Sequence, residues 1–256
     1  GYIAMRLIST FYNLRNKVYI EQQLTDIKLR FFTDISHDLR TPLTLITAPL
    51  ENLLENKKLP AFAKEQLTLM KRNTDQMLKL VNQILDFRKL QSHKMKLTIE
   101  QIEVVSFISR IMVDFKHLAQ EQHILFTFTH SIPECYLWAD ADKLEKILFN
   151  LLSNAFKFTE SGKQIEIYLE KDEKNLYIEV KDEGIGIPQN KQKDIFTRFG
   201  SLHSSSILGV PSTGIGLSIV KELVELHGGS ISLTSKEGEG SCFKLSFQLG
   251  RSHYGP

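Results

Sequence analysis

The chain has 256 residues, of which 42% are hydrophobic and 24% are charged, as in a globular protein with one large or two modest domains. A formal net charge of +2 gives no strong overall attraction to nucleic acid, so we expect no nucleic-acid partner. Two cysteines are too few for a disulfide framework or a cysteine metal site, and no apolar run forms a membrane span or a signal peptide.

The first predicted element is a pair of long helices between residues 5 and 91, a segment without glycine. Apolar residues recur there every three or four positions, from Phe32 to Leu53 and again from Leu67 to Ile84, which is the period of an amphipathic helix. The break at residues 56–60 has the length of a turn between antiparallel helices. Because two helices cannot enclose a core, we expect two copies of this hairpin to form a four-helix bundle, and therefore a homodimer.

The hairpin is predicted to occupy residues 31–94, after a more polar connector helix at residues 1–30. No capping signal precedes this helical pattern, so we expect a longer protein in which this chain is the cytoplasmic portion of a sensor anchored in a bacterial inner membrane. Any contact with the membrane would then be made only through missing N-terminal segments.

His37 lies off the apolar stripe of the first helix. It is two residues from both Ile35 and Leu39, so its imidazole is predicted to face water, and Asp38 follows it directly. An outward imidazole beside a carboxylate suits a nucleophile that must meet a separate catalytic unit. An ordinary exposed histidine fits the same pattern, and only the rest of the chain can decide between the two.

After residue 94 the pattern changes to short alternating strands separated by helices. Helical patterns occur near 104–121, 142–157 and 215–227, and the last is predicted to end at His227 through a cap formed by the next two glycines. The predicted strands are 96–100, 124–129, 164–169, 176–180, 230–235 and 242–249. We therefore expect an α+β sandwich over residues 95–250, one mixed sheet with helices on one face, followed by a tail at 251–256.

Three polar side chains share one face of the helix near 142–157. Asn150, Asn154 and Lys157 are spaced by four and three residues, next to an apolar stripe. Amide oxygens are suitable ligands for Mg²⁺, and a lysine one turn further on can neutralise phosphate charge. From this helix alone, a solvated polar face explains the pattern equally well.

Two glycine motifs follow. Asp182, Gly184 and Gly186 come directly after a predicted strand, where a carboxylate can accept the exocyclic amino group of adenine and glycines let the backbone approach the base. The run from Thr213 to Leu217 opens a helix, where free N–H groups favour phosphate. Neither motif is specific alone, and no P-loop motif is present. The long segment between them has no period and is predicted to cover the nucleotide.

In order and spacing, these pieces resemble the transmitter region of sensor histidine kinases of two-component systems, over residues 28–249. The run from His37 to Pro42 resembles the phosphoacceptor box, the run from Asn150 to Lys157 the N box, and residues 195–199 the F box. Residues 182–186 and 213–217 resemble the two glycine boxes, although Ser212 stands where the second box usually begins with glycine. The resemblance implies a dimerisation and phosphotransfer hairpin joined to a Bergerat-type, or GHKL-type, ATP-binding domain.

For the hairpin, the resemblance implies that His37 attacks the γ-phosphate of ATP through a ring nitrogen. Asp38 would hold or deprotonate the other ring nitrogen. Thr41, one turn after His37, would orient water when the kinase dephosphorylates its partner, although a threonine that simply precedes a proline is an equal alternative.

For the second domain, the resemblance implies that Asn154 coordinates Mg²⁺ with help from Asn150, that Lys157 contacts phosphate and that Asp182 binds adenine. Arg198 would act at the phosphates or form a structural ion pair. The glycine boxes would contribute the remaining ATP contacts through Gly184, Gly186, Thr213, Gly214, Gly216 and Leu217.

The implied function is ATP-dependent autophosphorylation of His37 and transfer of the phosphoryl group to an aspartate of a response-regulator receiver domain, separate or fused in the longer protein. Two other classes remain alternatives. An ATPase of the gyrase, Hsp90 and MutL type would carry a glutamate base where this chain has Asn150. A dimerising scaffold with a vestigial nucleotide site would not need Asn154, Lys157 and Asp182.

Overall fold

The computed structural model describes residues 12, 15, 39–40, 42–56, 59–91, 95–197 and 215–254. Its contacts divide the chain into two units, Gly1–Ser92 and His93–Pro256. Apart from Tyr12 and Arg15, the predicted connector at residues 1–30 lies outside the described residues.

The first unit is a helical hairpin. Helix α1 is formed by residues 39–40 and 42–54, and α2 spans Ala61–Gln91. Lys71 Nζ lies 3.3 Å from Glu51 Oε1, close to the turn, while Arg40 Nη2 donates a hydrogen bond of 2.5 Å to Asn82 Oδ1 far from it. The early part of α1 therefore meets the late part of α2, and the predicted antiparallel pairing is confirmed.

Much of the apolar stripe of the hairpin is not covered within one chain. Leu50 and Val81 are buried at 5% and 4% exposure. Leu39, Ile46 and Met77 belong to the same predicted stripe, yet each keeps about half of its surface in water, at 47%, 46% and 53%. In the part of the hairpin that the structure describes, these three apolar side chains are thus only about half covered.

The second unit is built on a mixed five-stranded sheet. In sequence its strands are β2 (Leu125–His130), β4 (Gln164–Lys171), β5 (Asn175–Asp182), β6 (Ser230–Lys236) and β7 (Gly240–Gln248). The spatial order is β2-β4-β5-β7-β6, in which only β2 and β4 pair in parallel. A separate antiparallel pair joins β1 (Glu100–Glu103) to β3 (Tyr136–Ala139).

Three helices, α3 (Val104–Glu121), α4 (Ala141–Phe158) and α5 (Gly216–Leu226), pack against the sheet. Along β4, Ile165 and Ile167 are fully buried, while the residues that alternate with them are only partly covered. One face of the sheet therefore packs into the core. On the other face, Lys244 Nζ lies 3.0 Å from Glu170 Oε1 and 2.9 Å from Glu179 Oε1. The predicted α+β class, a mixed sheet with helices on one face, is confirmed.

Side-chain caps determine where two of these helices begin. The Glu103 carboxylate accepts from Val105 N–H at 3.1 Å and from Ser106 N–H at 2.7 Å at the start of α3. Asp140 Oδ1 accepts from Lys143 N–H at 3.1 Å at the start of α4. Each carboxylate satisfies amide groups that have no partner within the helix.

One strand prediction was wrong. The alternating run at 96–100 is not the strand itself: β1 begins at Glu100 and pairs with β3, which the sequence pattern did not predict. Both strands have only four residues and occur because they pair with each other, so neither carries a long local signal. The other five predicted strands agree with β2 and β4–β7 to within a few residues.

The last described residues pack onto the second unit. Ser252–Tyr254 form a short 3-10 turn, and Tyr254 Oη donates to the carbonyl oxygen of Trp138 at 2.9 Å.

Among the residues that the structure describes, none of the helices combines the length and the apolarity that a membrane span needs.

Candidate nucleotide-binding site

The polar line on α4 lies at the edge of the buried face of that helix. Leu151 and Ala155 are buried, whereas Asn150, Asn154 and Lys157 are partly exposed. Asn150 Nδ2 donates to the Lys146 carbonyl oxygen at 2.8 Å. That bond holds the amide in place on the surface of α4.

The first turn of α5 comes close to this line. A Cβ atom added to Gly216 would be 3.0 Å from Asn150 Oδ1, a tight contact, so the backbone of α5 lies close to that amide. The N-cap of α5 is Ile215, and among the described residues no side chain caps the start of this helix. Gly216 and Leu217 belong to its first turn, where the sequence predicted a phosphate contact.

Asp182 ends β5 and is only 7% exposed. Its Oδ1 accepts from Gly184 N–H at 2.9 Å. Burial raises the pKa of the Asp182 carboxyl above its usual value, although hydrogen bonds from the N–H groups of Gly184 and Ser241 act in the opposite direction. A buried carboxylate of this kind is a strong acceptor for an N–H donor such as the amino group of a base.

The loop after Asp182 is held from two sides. Ile185 N–H donates to the Phe158 carbonyl oxygen at 3.2 Å, which ties the loop to the end of α4. Gly186 has a φ of +66°, and a Cβ there would lie 1.9 Å from the Lys236 carbonyl oxygen. A side chain at position 186 would therefore force the loop away from the turn between β6 and β7.

The sequence did not identify the residues whose side chains form hydrogen bonds with the backbone of this loop. Ser235 Oγ accepts from Ile187 N–H at 2.8 Å and donates to the Gly240 carbonyl oxygen at 2.8 Å. Gln192 Nε2 donates to the carbonyl oxygens of Ile187 and Ser235 at 2.8 and 2.9 Å. The only local signal was the glycine-containing turn at 237–240, which indicated a hairpin and nothing about the loop it supports.

Lys157 lies near the end of α4, with its Nζ 5.1 Å from the centre of the Phe158 ring. Partial burial lowers the pKa of the Lys157 ammonium from its usual value. An ammonium that has lost part of its hydration interacts more strongly with an anion than a fully solvated one. Lys157 is therefore suited to contact phosphate.

Several predicted site residues cannot be placed. His37, Asp38 and Thr41 in the hairpin lie outside the described residues, as do Arg198, Thr213 and Gly214 and the segment predicted to cover the nucleotide. Phe196, at the base of that segment, packs edge to face on Phe243 with ring centres 6.3 Å apart. The described site thus consists of the α4 line, the start of α5, and Asp182 with its glycine loop.

Within the described ranges, no three His, Cys, Asp or Glu side chains are grouped as a metal site. The α4 line itself has two oxygen donors, the side-chain amides of Asn150 and Asn154. Mg²⁺ accepts oxygen ligands and commonly completes its coordination with water and phosphate oxygens, so the donor set fits a nucleotide-bound ion.

Comparison with known proteins identifies both units. Residues 27–93 match the family model "His Kinase A (phospho-acceptor) domain", and residues 139–251 match "Histidine kinase-, DNA gyrase B-, and HSP90-like ATPase". Together the two models cover more than half of the chain. The chain belongs to the sensor histidine kinases. Its second unit is the ATP-binding module of that family, and the family predicted from the motifs is confirmed.

Individual histidine kinases are similar along most of this chain. "Histidine kinase P4" of Formosa agariphila is 36% identical over 235 residues, which is 91% of this chain and 17% of that protein. Full-length ShkA, solved in complex with AMPPNP, has a TM-score of 0.73 at 26% identity and covers 87% of this chain and 46% of its own. ThkA, solved with the response regulator TrrA, has the same fold, with a TM-score of 0.60 at 21% identity over 85% of this chain and 60% of its own.

Proposed function

We propose that this histidine kinase binds ATP with Mg²⁺ in its second unit, phosphorylates itself on His37 and passes the phosphoryl group to an aspartate of a response-regulator receiver domain. One observation carries the proposal: the chain joins a phospho-acceptor module that contains His37 to a nucleotide site that has Asn150 in place of a carboxylate base. A site without a base for water favours transfer to a side chain over hydrolysis.

Asp182 is proposed to bind adenine. Its buried carboxylate lies at the end of β5, beside a loop whose Gly184 and Gly186 pack closely against the backbone at Phe158 and Lys236. An ionised carboxylate accepts from the exocyclic amino group and cannot pair with a carbonyl at the same position, so it distinguishes adenine from guanine.

The α4 line is proposed to act on the phosphates. Asn154, with Asn150, would hold Mg²⁺ through amide oxygens, while Lys157 would contact a phosphate oxygen. Mg²⁺ would neutralise charge on the phosphates as the γ-phosphoryl group leaves. The backbone of Gly214 and Gly216 and the side chain of Arg198 are proposed as further phosphate contacts, with Gly184, Gly186, Thr213 and Leu217 completing the pocket.

In the transfer step, the lone pair of one His37 ring nitrogen attacks the γ-phosphorus. The bond from that phosphorus to the oxygen that bridges the β- and γ-phosphates breaks, and ADP leaves with the electron pair of that bond. Asp38 accepts a hydrogen bond from the proton on the other ring nitrogen, which keeps the attacking nitrogen unprotonated. Alignment of donor and acceptor and charge neutralisation supply most of the catalysis in such reactions.

The hairpin is proposed to form a homodimer. The half-exposed Leu39, Ile46 and Met77 would be buried by the matching face of a second copy, giving a four-helix bundle. The receiver domain, separate or fused, is proposed to dock on this bundle near His37, and ThkA in complex with TrrA is a solved relative with such a partner. Thr41 is proposed to orient water when the kinase dephosphorylates that partner, and membrane anchoring of the longer protein stays a prediction.

Incubation with ATP labelled at the γ-phosphate tests the reaction. We expect an acid-labile, base-stable phosphoprotein that His37→Gln abolishes. His117→Gln is the matched control because the His117 side chain is 81% exposed. Release of phosphate without a phosphoprotein would indicate the hydrolase alternative, and nucleotide binding without either product would indicate a scaffold.

A further inference from the structure

His227 is completely buried at the end of α5, and both of its ring nitrogens have partners. Nδ1 lies 2.7 Å from the Leu223 carbonyl oxygen, and Nε2 lies 3.1 Å from the backbone nitrogen of Asp140. The Asp140 N–H can only donate, so Nε2 must accept. Nδ1 therefore carries the proton and donates to Leu223, which defines a neutral imidazole with one tautomer.

Asp140 is an equally constrained partner. It is 4% exposed, and its Oδ1 caps α4 through Lys143 N–H. Its Oδ2 accepts from Thr98 N–H at 2.8 Å, which connects the segment before β1 to the same point. The contact between His227 and Asp140, named here the α4–α5 tie, thus joins the C-cap of α5 to the N-cap of α4.

The α4–α5 tie lies at the opposite end of the helix pair from the nucleotide site. Asn150 is ten residues after Asp140, and Gly216 is eleven residues before His227, so each helix covers about 15 Å between the two points at 1.5 Å per residue. At the far end Gly216 lies beside Asn150, where an added Cβ would be 3.0 Å from Asn150 Oδ1, a tight contact. The helices are therefore antiparallel, and the α4–α5 tie bonds them at the end away from Asn150.

We propose that His227, acting through Asp140, is a positioning residue for nucleotide binding. It fixes the position of α5 along the axis of α4, so that the first turn of α5 lies beside Asn150. Without the bond to Asp140, α5 can shift along α4, and the N–H groups proposed to bind phosphate move away from the amide proposed to bind Mg²⁺. This inference rests on the proposed function of the site.

The test measures the affinity of the 256-residue chain for ADP by isothermal titration calorimetry, together with its thermal unfolding. His227→Phe keeps a buried ring and removes both hydrogen bonds, and we expect it to weaken ADP binding about tenfold, as is typical of coupling between separate sites. Leu176→Ala is the control because Leu176 is fully buried at the other end of β5 from Asp182. It should lower the unfolding temperature and leave ADP affinity unchanged.

Two further variants separate positioning from general stability. His227→Gln can place an acceptor near the position of Nε2 and should recover part of the lost affinity. In His227→Asn the side chain is too short to do so, and this variant should bind ADP as weakly as His227→Phe. If His227→Phe does not fold, His227→Asn takes its place in the test. Wild-type ADP affinity in folded His227→Asn, or no recovery in His227→Gln, would overturn the inference. Failure of the wild-type chain to bind ADP would instead contradict the proposed function.

Discussion

The two units of this kinase differ in how completely they bury their own apolar residues. In the sheet unit, Ile165, Ile167 and Leu169 are fully buried beneath helices of the same chain. In the hairpin, Leu50 and Val81 are buried, whereas Ile46 and Met77, on the same stripe, are about half exposed. The sheet unit thus covers its own core, whereas in the hairpin the proposed second copy would cover the half-exposed residues.

The largest effect is expected from a charge on the half-exposed apolar stripe of the hairpin. Ile46→Glu should weaken dimerisation by about 3 kcal/mol or more, because a symmetric interface would bury two unpaired carboxylates. Analytical ultracentrifugation should show the dimer dissociating at concentrations where the wild type remains associated.

Gln66→Glu, an exposed position on α2, is the control and should leave the dimer intact. ADP affinity should be unchanged in both variants, since the nucleotide site belongs to the other unit. A dimeric Ile46→Glu chain would contradict the bundle.

The reciprocal change is made in the sheet unit. Asp182→Asn should cost about 2 kcal/mol of nucleotide binding, since the amide would replace a charge-assisted hydrogen bond to adenine with a weaker or mismatched one. Calorimetric titration with ADP measures the loss, and sedimentation should show the same dimer as the wild type.

Asp114→Asn is the matched control because Asp114 is an exposed carboxylate on α3. Unchanged ADP affinity in Asp182→Asn would remove the adenine assignment.

The same substitution should stabilise the protein without nucleotide. Burial raises the pKa of the Asp182 carboxyl, so ionised Asp182 opposes folding at every pH above its folded-state pKa. Asp182→Asn should therefore raise the unfolding temperature at pH 7. The advantage should shrink as the pH falls and be lost below 3.8, the usual value for aspartate, where the wild-type carboxyl is protonated in both states. An unchanged or lower unfolding temperature of Asp182→Asn at pH 7 would show that the ionised Asp182 carboxylate does not destabilise the folded protein.

A smaller effect is expected at the cap of α3. Burial alone would raise the pKa of Glu103, but hydrogen bonds from the Ser106 side chain and from the N–H groups of Ser106, Cys135 and Val105 outweigh it and lower the pKa. Glu103→Ala should cost about 1 kcal/mol of unfolding free energy at pH 7, as is usual when a cap is lost.

This contribution is present above 4.5, the usual value for glutamate, and is lost as the pH falls through the lower folded-state value. Denaturant unfolding at pH 7 and near pH 3 should show a smaller difference between Glu103→Ala and wild type at the lower pH. An equal difference at both pH values would assign the effect to packing and not to the cap.

Prediction from the sequence succeeded where the signal was local and repeated. The helix predicted at 142–157 is α4, Ala141–Phe158, because its apolar residues recur through five turns. The cap predicted after His227 is confirmed: Gly228 has a φ of +69°, and its N–H donates to the Glu225 carbonyl oxygen at 2.9 Å.

Prediction failed where an element depends on a distant partner. β1 and β3 are paired across more than thirty residues and are four residues long. The side chains of Ser235 and Gln192 bond to backbone atoms of the loop after Asp182, and because every residue has such atoms, no sequence pattern marks the pairing. Gly216 lies beside Asn150, as a shared site would need, while the roles of Asn150, Asp182 and Gly216 stay predictions.

The amino-acid sequence by itself determined the helical period of the hairpin, the alternation of the longer strands and the order of the motifs that indicate a histidine kinase. Only the tertiary structure revealed that His227 meets Asp140, 87 residues away in the chain, and that Asn150 meets Gly216. The reason is physical: period and capping are properties of neighbours in the chain. Which buried donor finds which acceptor depends on how separate elements pack.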